Sequence, residues 1–160
     1  MPPRFWMAAA VGAALPDVDV LAFTAGIPYS HPFGHRGFTH SFAFAALAAA
    51  AIVALMFRDG EWRRMRIALW LFFFAAVASH GLLDAMTSGG LGIAFFAPFS
   101  STRYFFAWRP ILVSPIGVQR FFSSRGVAVM LSEIRWVWVP SAVIAALGSY
   151  RRTTGTGARG

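Results

Sequence analysis

Apolar residues dominate four segments of the chain, and each is about as long as a helix that crosses a bilayer. The segments run from about Phe5 to Phe23, from Phe38 to Phe57, from Ile67 to Thr87 and from about Val127 to Leu147. About 20 apolar residues cross the hydrocarbon core as a helix, and lipid forces the backbone to form its hydrogen bonds within the segment. The pattern therefore predicts an all-α, polytopic transmembrane bundle of about four membrane helices.

The connection between the third and fourth segments, Ser88–Gly126, is long and rich in glycine, proline and aromatic residues. Loops of this length are uncommon and tend to be functional, and aromatic side chains suit the level of the lipid headgroups. We expect one membrane-embedded domain over residues 1–150, with this loop covering a site. We expect residues 151–160, RRTTGTGARG, to form a disordered tail.

The composition excludes an ordinary soluble domain. Hydrophobic residues make up 58% of the chain and charged residues only 12%, whereas soluble domains carry about 25% charged residues. The chain has no cysteine, which rules out disulfides and thiolate metal sites. All 14 basic residues are arginines, and most lie between apolar segments, so we expect membrane lipid rather than nucleic acid as the partner.

The distribution of arginine predicts the orientation of the bundle. Four crossings place the N-terminus, the RDGEWRRMR connection and the tail on one side of the membrane. That side holds eight arginines, whereas the other holds five: Arg36, Arg103, Arg109, Arg120 and Arg125. Cytoplasmic segments carry the excess of basic residues. We therefore expect a multi-pass membrane protein with its N-terminus in the cytoplasm.

Several ionisable residues lie inside or at the edge of the apolar segments, where a charge costs roughly 2.5–3.5 kcal/mol at a helix centre. His80 and Asp84 are four residues apart and share one helix face. This pair suits either half of a metal site or a hydrogen-bonded contact between helices. Asp17 and Asp19 would point about 200° apart on a regular helix. Either only one of them reaches the site, or the backbone after Pro16 is irregular.

The predicted topology brings these groups to one depth, near the non-cytoplasmic face. On this basis we predict a metal site with the candidate ligands Asp19, His35, His40, His80 and Asp84. Asp17 and Asp19 are the catalytic candidates, because an aspartate that does not bind the metal can act as a base or orient a ligand. His31 lies in a turn-rich loop outside this set.

Histidine and aspartate ligands without cysteine suit a hydrolytic divalent metal: zinc, with manganese or iron as alternatives. Such a metal lowers the pKa of bound water and polarises a carbonyl or phosphoryl oxygen. Arg36, Arg103 and Arg109 are candidates for binding a phosphate or carboxylate of the substrate. Each of them is equally suited to contacting lipid headgroups. The sequence does not define an oligomeric state.

Five motifs in order, "LPDVD", "GHRGFTHS", "SHGLLDAMTSGG", "FFAPFSSTRYFFAWRPI" and "SPIG", resemble the bacterial membrane-bound metal-dependent hydrolases that include LexA-regulated inner-membrane members (the DUF457 group). The resemblance covers about Pro2 to Pro140. It implies an inner-membrane protein with a divalent-metal hydrolase site at Asp17, Asp19, His35, His40, His80 and Asp84, and it implies no substrate. Zinc-dependent phospholipase C is similar in the kind of ligand set only.

One departure from that family concerns the start of the chain. Its members usually begin with a Thr-His near the start of an additional apolar helix, whereas this chain opens at "MPPRFW" and has no histidine before His31. We expect a translation start that lies upstream or a shortened chain.

Two classes of function follow from the sequence. The first is a metal-dependent hydrolase acting on a phosphodiester or ester of a lipid-like or phosphorylated substrate. The alternative is a non-enzymatic membrane protein for metal transport or lipid binding, in which the histidines and aspartates have a structural role.

Overall fold

The computed structural model describes residues 1–58, 60–115 and 122–156, and these residues form helices and loops with one isolated antiparallel bridge, between Ile93 and Tyr104. The α-helices are α1 (Pro3–Ala14), α2 (Phe42–Met56), α3 (Arg66–Ala85), α4 (Ser124–Glu133) and α5 (Val139–Thr156). Shorter 3₁₀ segments cover Leu15–Phe23, Phe38–His40 and Gly60–Met65, and a π-helical turn, Ile134–Trp138, joins α4 to α5.

The predicted all-α membrane bundle is confirmed. Within the described residues, three helical stretches are long and apolar enough to cross a membrane: Pro3–Phe23, Gly60–Ala85 and Ser124–Arg151. The second predicted crossing differs in length, because α2 has 15 residues and spans about 22 Å at 1.5 Å per residue.

The described residues divide into two units, Met1–Trp108 and Arg109–Gly160. In the first unit α3 packs against both α1 and α2. Phe5, Phe57 and Phe73 form the core at the end of the bundle where α1 begins. In the second unit α4, the π-helical turn and α5 follow one another directly. The helix α5 continues to Thr156, and residues 157–160 of the predicted tail lie outside the described residues.

The chain enters α2 through a tight turn that keeps His40 outside the helix. The segment Phe38–His40 is 3₁₀, and Ser41 is extended, with φ −83° and ψ 158°. The Ser41 Oγ accepts a hydrogen bond from the Phe44 backbone N–H at 3.1 Å. Serine at this position satisfies one of the free N–H groups of the first turn. The helix therefore begins at Phe42, four residues after the predicted start.

The first crossing changes from α-helix to 3₁₀ helix where Pro16 lies. The 3₁₀ segment is nine residues long, whereas most such runs have three or four. In an α-helix, residue pairs such as Asp17 and Asp19 point about 200° apart, which is roughly 160° by the shorter way round. With the three residues per turn of a 3₁₀ helix, this angle falls to about 120°. Of the two alternatives that the sequence left open, the irregular backbone after Pro16 is present, and both Asp17 and Asp19 lie close to His40.

The first part of the long aromatic loop is folded onto the end of the bundle that carries His35 and His40. The Phe106 N–H donates to the Ala85 carbonyl and the Phe42 N–H donates to the Phe95 carbonyl, both at 3.0 Å. The rings of Phe42 and Phe95 are stacked with centroids 5.1 Å apart. Residues 116–121 of the predicted loop lie outside the described residues.

Candidate metal centre

Four side chains from three elements bring one donor atom each to a single point. Asp17 lies on the 3₁₀ segment of the first crossing, His40 on the turn before α2, and His80 and Asp84 on α3. The Asp17 Oδ1 lies 3.5 Å from the His40 Nε2 and 3.3 Å from the His80 Nε2. The Asp84 Oδ2 lies 3.3 Å from the His40 Nε2 and 3.9 Å from the His80 Nε2.

These separations fit a divalent cation at the centre of the four atoms. Zinc binds histidine nitrogen and carboxylate oxygen at about 2.0–2.2 Å, which puts neighbouring ligands of a tetrahedron roughly 3.3–3.6 Å apart. All four donor atoms lie within 4.8 Å of one another. Two neutral imidazoles and two carboxylates also supply the charge and the ligand types that zinc, manganese and iron accept.

The other ring nitrogen of each histidine already has an acceptor. The His80 Nδ1 lies 2.9 Å from the Ala13 carbonyl oxygen, and the His40 Nδ1 lies 3.1 Å from the Asp19 Oδ2. Both acceptors favour a proton on Nδ1, which leaves Nε2 with a free electron pair for a metal. His40 is only 3% exposed, and its Nε2 is buried without a hydrogen-bond partner. A buried polar atom that points into a cluster of acceptors is costly unless a cation or proton binds there.

Asp19 is the acceptor for a network beside this cluster. Its Oδ1 lies 2.6 Å from the His35 Nδ1. Its Oδ2 accepts from the Arg36 backbone N–H at 3.0 Å and from the Thr39 hydroxyl at 2.6 Å, and it also faces His40. Asp19, His35 and His40 form a second group that meets metal-ligand spacing. The contacts of Asp19 with His35 and with Thr39 are both 2.6 Å long, however, which is the length of a charge-assisted hydrogen bond and shorter than the separation of two ligands around one zinc ion.

The structure thus brings all six predicted histidines and aspartates together in two layers. Asp17, His40, His80 and Asp84 surround one point, whereas Asp19 and His35 lie behind His40. Asp17 is half exposed, with 52% of its side-chain area accessible, compared with about 20% for His80 and Asp84. Within the described residues, the cluster is therefore most open on the side of Asp17.

The predicted substrate-binding arginines have internal partners. The Arg36 guanidinium donates to the Asp84 Oδ1 at 3.0 Å and to the Gly89 carbonyl at 2.9 Å. Arg103 donates to the backbone carbonyls of Tyr29 at 3.0 Å and His35 at 3.1 Å, and it lies over the Tyr29 ring. Arg109 belongs to the second unit.

Arg103 and Tyr29 form a packed, half-buried contact that secures the loop before His35. Burial lowers the pKa of Arg103 and raises the pKa of the Tyr29 hydroxyl, since both groups lose water around their charged forms. Arg103 thereby provides a hydrogen-bond donor for the Tyr29 and His35 carbonyl groups, in addition to the turn hydrogen bonds that this loop forms within itself. Its guanidinium holds the site's supporting loop in place.

Sequence reasoning missed several groups that orient the cluster. Thr39 donates to Asp19, Thr87 accepts from Arg36 at 3.1 Å, and the Ala13 carbonyl fixes His80. Thr39 lies within the motif "GHRGFTHS", directly before His40, and this position could have indicated a role beside the cluster. Nothing in the spacing marks Thr87 or Ala13, because their roles depend on how the helices pack.

Comparisons with known proteins decide the family. A family model described as YdjM inner membrane protein matches residues 2–157. The chain belongs to this family of bacterial inner-membrane proteins. The chain is also 40% identical over 153 residues to the inner membrane protein YbcI of Escherichia coli strain K12, covering 95% of this chain and 87% of that protein. No solved structure matches.

The family match confirms the inner-membrane part of the resemblance drawn from the sequence motifs. The names of the YdjM family and of YbcI state a membrane location and no reaction. The hydrolase part of the resemblance and the assignment to the DUF457 group therefore remain predictions.

Proposed function

We propose that this member of the YdjM family is a metal-dependent hydrolase with one divalent metal bound by Asp17, His40, His80 and Asp84. Zinc is the first choice for this metal. The observation that carries the proposal is the convergence of four donor atoms around the unpartnered, buried His40 Nε2. A metal in such a set lowers the pKa of bound water and polarises a carbonyl or phosphoryl oxygen.

The residues around the cluster supply the remaining requirements of hydrolysis. Four side-chain ligands would fill a tetrahedral site, whereas a catalytic site needs one position for water. Asp17 is the most exposed carboxylate of the set, so water would take its place on the metal, and the freed carboxylate would accept the proton of that water. Asp19 keeps the His40 ring in one orientation, and the Ala13 carbonyl does the same for His80. We assign Asp19 this orienting role because both of its oxygens already have donors.

The surroundings of the cluster support a lipid-like substrate class for the proposed reaction. The donor atoms lie on or directly beside apolar helices, and the neighbouring loop exposes Phe96 and Phe99. These surroundings suit a phosphodiester or ester of a lipid-like molecule rather than a small hydrophilic one. The distribution of arginines supports a cluster that faces the non-cytoplasmic side of the inner membrane.

Hydrolysis by metal-loaded protein tests this proposal. Detergent-purified protein is stripped of metal, reloaded with Zn²⁺, Mn²⁺ or Fe²⁺, and supplied with bis(p-nitrophenyl) phosphate and fluorescent phospholipid esters. We expect turnover that falls about 10²- to 10⁴-fold in Asp17→Asn, as expected for loss of a positioned base, and in His80→Ala. Glu61→Gln, an exposed acidic residue of the connection before α3, is the control. Turnover that is absent with every metal, or unchanged in Asp17→Asn and His80→Ala, would refute hydrolysis at this site and leave metal transport or lipid binding.

A further inference from the structure

Arg36 is buried beside the metal ligands, and its contacts divide the two oxygens of Asp84 between different partners. The Asp84 Oδ1 accepts from the Arg36 Nη2 at 3.0 Å. The Asp84 Oδ2 faces the Nε2 atoms of His40 and His80 at 3.3 and 3.9 Å. We propose that Arg36 is a positioning residue that makes Asp84 a ligand through one oxygen only. This inference rests on the proposed metal centre.

The guanidinium of Arg36 is itself held in place. Its Nη1 donates to the Thr87 Oγ1 at 3.1 Å and to the Gly89 carbonyl at 2.9 Å. The Thr87 hydroxyl in turn donates to the Asp84 carbonyl at 2.7 Å, which connects the arginine to the end of α3. A methyl group at Gly90 would lie 2.8 Å from the same Nη1. The guanidinium therefore has little room to move.

The backbone of Arg36 is held in an unusual conformation that directs the side chain to this place. Its φ is +61°, in the left-handed region, while its residue exposure is 4%. The Arg36 N–H donates to the Asp19 Oδ2 at 3.0 Å, and its carbonyl accepts from the Ala94 N–H at 3.1 Å. A non-glycine residue keeps such a conformation only when its surroundings impose it. One residue thus connects the carboxylate that orients His40 to the carboxylate that binds the metal.

Loss of this contact has a defined consequence for the metal. Carboxylates bind cations through one oxygen or through both. While Arg36 holds Oδ1, Asp84 offers only Oδ2. Without the guanidinium, Oδ1 is free to join the metal, which raises the number of ligand atoms and changes the geometry.

Co²⁺ in place of the native metal reports this geometry directly, because four-coordinate Co²⁺ absorbs visible light far more strongly than five- or six-coordinate Co²⁺. We expect saturable, strong visible bands in the wild-type protein in detergent. The bands should weaken severalfold in Arg36→Met. Arg36→Lys should also have weak bands, because an ammonium keeps the charge but lacks the planar fork.

Arg103→Met is the comparison for the loop, since Arg103 donates to the carbonyl groups of Tyr29, His35 and Arg36 but not to a cluster carboxylate. We expect it to lower the melting temperature and to weaken the cobalt bands less than Arg36→Met does. If Arg36→Met does not fold, Gly90→Ala takes its place with the same expected weakening. It keeps the arginine, and its Cβ would lie 2.8 Å from both the Arg36 Nη1 and the Tyr29 hydroxyl oxygen, so these groups have to move.

The outcomes separate the two proposals. Absence of saturable Co²⁺ binding to the wild type overturns the metal centre and the role of Arg36 together. Strong bands in the wild type that persist in Arg36→Met and Arg36→Lys, or in Gly90→Ala, overturn the positioning role alone. Bands that weaken equally in Arg103→Met assign the effect to the loop as a whole and also overturn it.

Discussion

Asp17 and Asp19 are two residues apart, yet their surroundings give them different tasks. Asp19 is 5% exposed and has donors on both oxygens. Asp17 is half exposed and faces the imidazole nitrogens that point at the cluster. Asp19 is thus a buried hydrogen-bond acceptor, whereas Asp17 is the carboxylate to which we assign the proposed chemistry.

Substituting each aspartate by asparagine should separate these tasks. Asp19→Asn removes the charge that buried donors share, so we expect the free energy of unfolding to fall by about 2–3 kcal/mol. Asp17→Asn removes a half-exposed, water-screened charge from a cluster of two carboxylates and two imidazoles, so the free energy of unfolding of the metal-free protein should stay within about 0.5 kcal/mol of the wild type. Thermal unfolding of the metal-free proteins in detergent measures both. A larger loss in Asp17→Asn than in Asp19→Asn would reverse the assignment.

At this scale the sequence reveals which residues meet, but not how they divide the work. The spacing of His80 and Asp84 is sufficient to place both on one helix face. The choice between Asp17 and Asp19 depends on a 3₁₀ backbone that no propensity specifies over nine residues. The role of Arg36 depends on a positive φ that is imposed by Asp19 and Ala94, which are distant in sequence.

At the scale of helices, the distance between α3 and the turn before α2 determines whether the cluster can form. Gly81 follows His80 directly, and a Cβ there would lie 2.9 Å from the His40 backbone carbonyl. The absence of a side chain therefore lets α3 bring His80 and Asp84 close to His40. Gly12 on α1 is different, because a Cβ there would meet the Ile52 Cδ1 at 3.2 Å, the end of a flexible side chain.

Alanine at these two glycines should have different effects. Gly81→Ala has to move α3 away from His40, and we expect metal affinity to fall at least about tenfold, as when the support of a metal ligand is lost. Gly12→Ala should leave metal affinity unchanged, because Ile52 can rotate. Titration of metal-free protein with Zn²⁺ by isothermal calorimetry provides both affinities. Equal affinities for Gly81→Ala and the wild type would show that helix contact does not set the geometry.

Helix positions were predictable within a few residues, because apolar run length defines a crossing. The start of α2 was not, since Ser41 ends the preceding turn through a local hydrogen bond to Phe44. The internal contacts of the aromatic loop were not predictable either. They join Phe95 to Phe42 and Phe106 to Ala85, which are pairs with no pattern of spacing.

At the scale of the whole molecule, membrane orientation decides which compartment supplies water and substrate to the cluster. Arginines are concentrated on the side of the N-terminus and of the connection before α3. The loop that contains Ser101 lies at the other end of the first unit, where Arg103 contacts the turn of His35. From the positive-inside rule we therefore expect the cluster to face the non-cytoplasmic side.

The absence of natural cysteines makes this orientation testable without background. Single cysteines replace Ser101 and Arg63, which are both exposed. In intact spheroplasts we expect a membrane-impermeant maleimide to label Ser101→Cys, and to label Arg63→Cys only after permeabilisation. The reverse pattern would place the cluster on the cytoplasmic side.

The measurement that tests the central claim most directly is the metal content of the purified protein. Elemental analysis by mass spectrometry compares the wild type with His80→Ala, and His31→Ala is the matched control because His31 is exposed and outside the cluster. We expect about one zinc, manganese or iron per chain in the wild type and in His31→Ala, and almost none in His80→Ala. No bound metal in the wild type, or the same content in His80→Ala, would contradict a metal centre at Asp17, His40, His80 and Asp84.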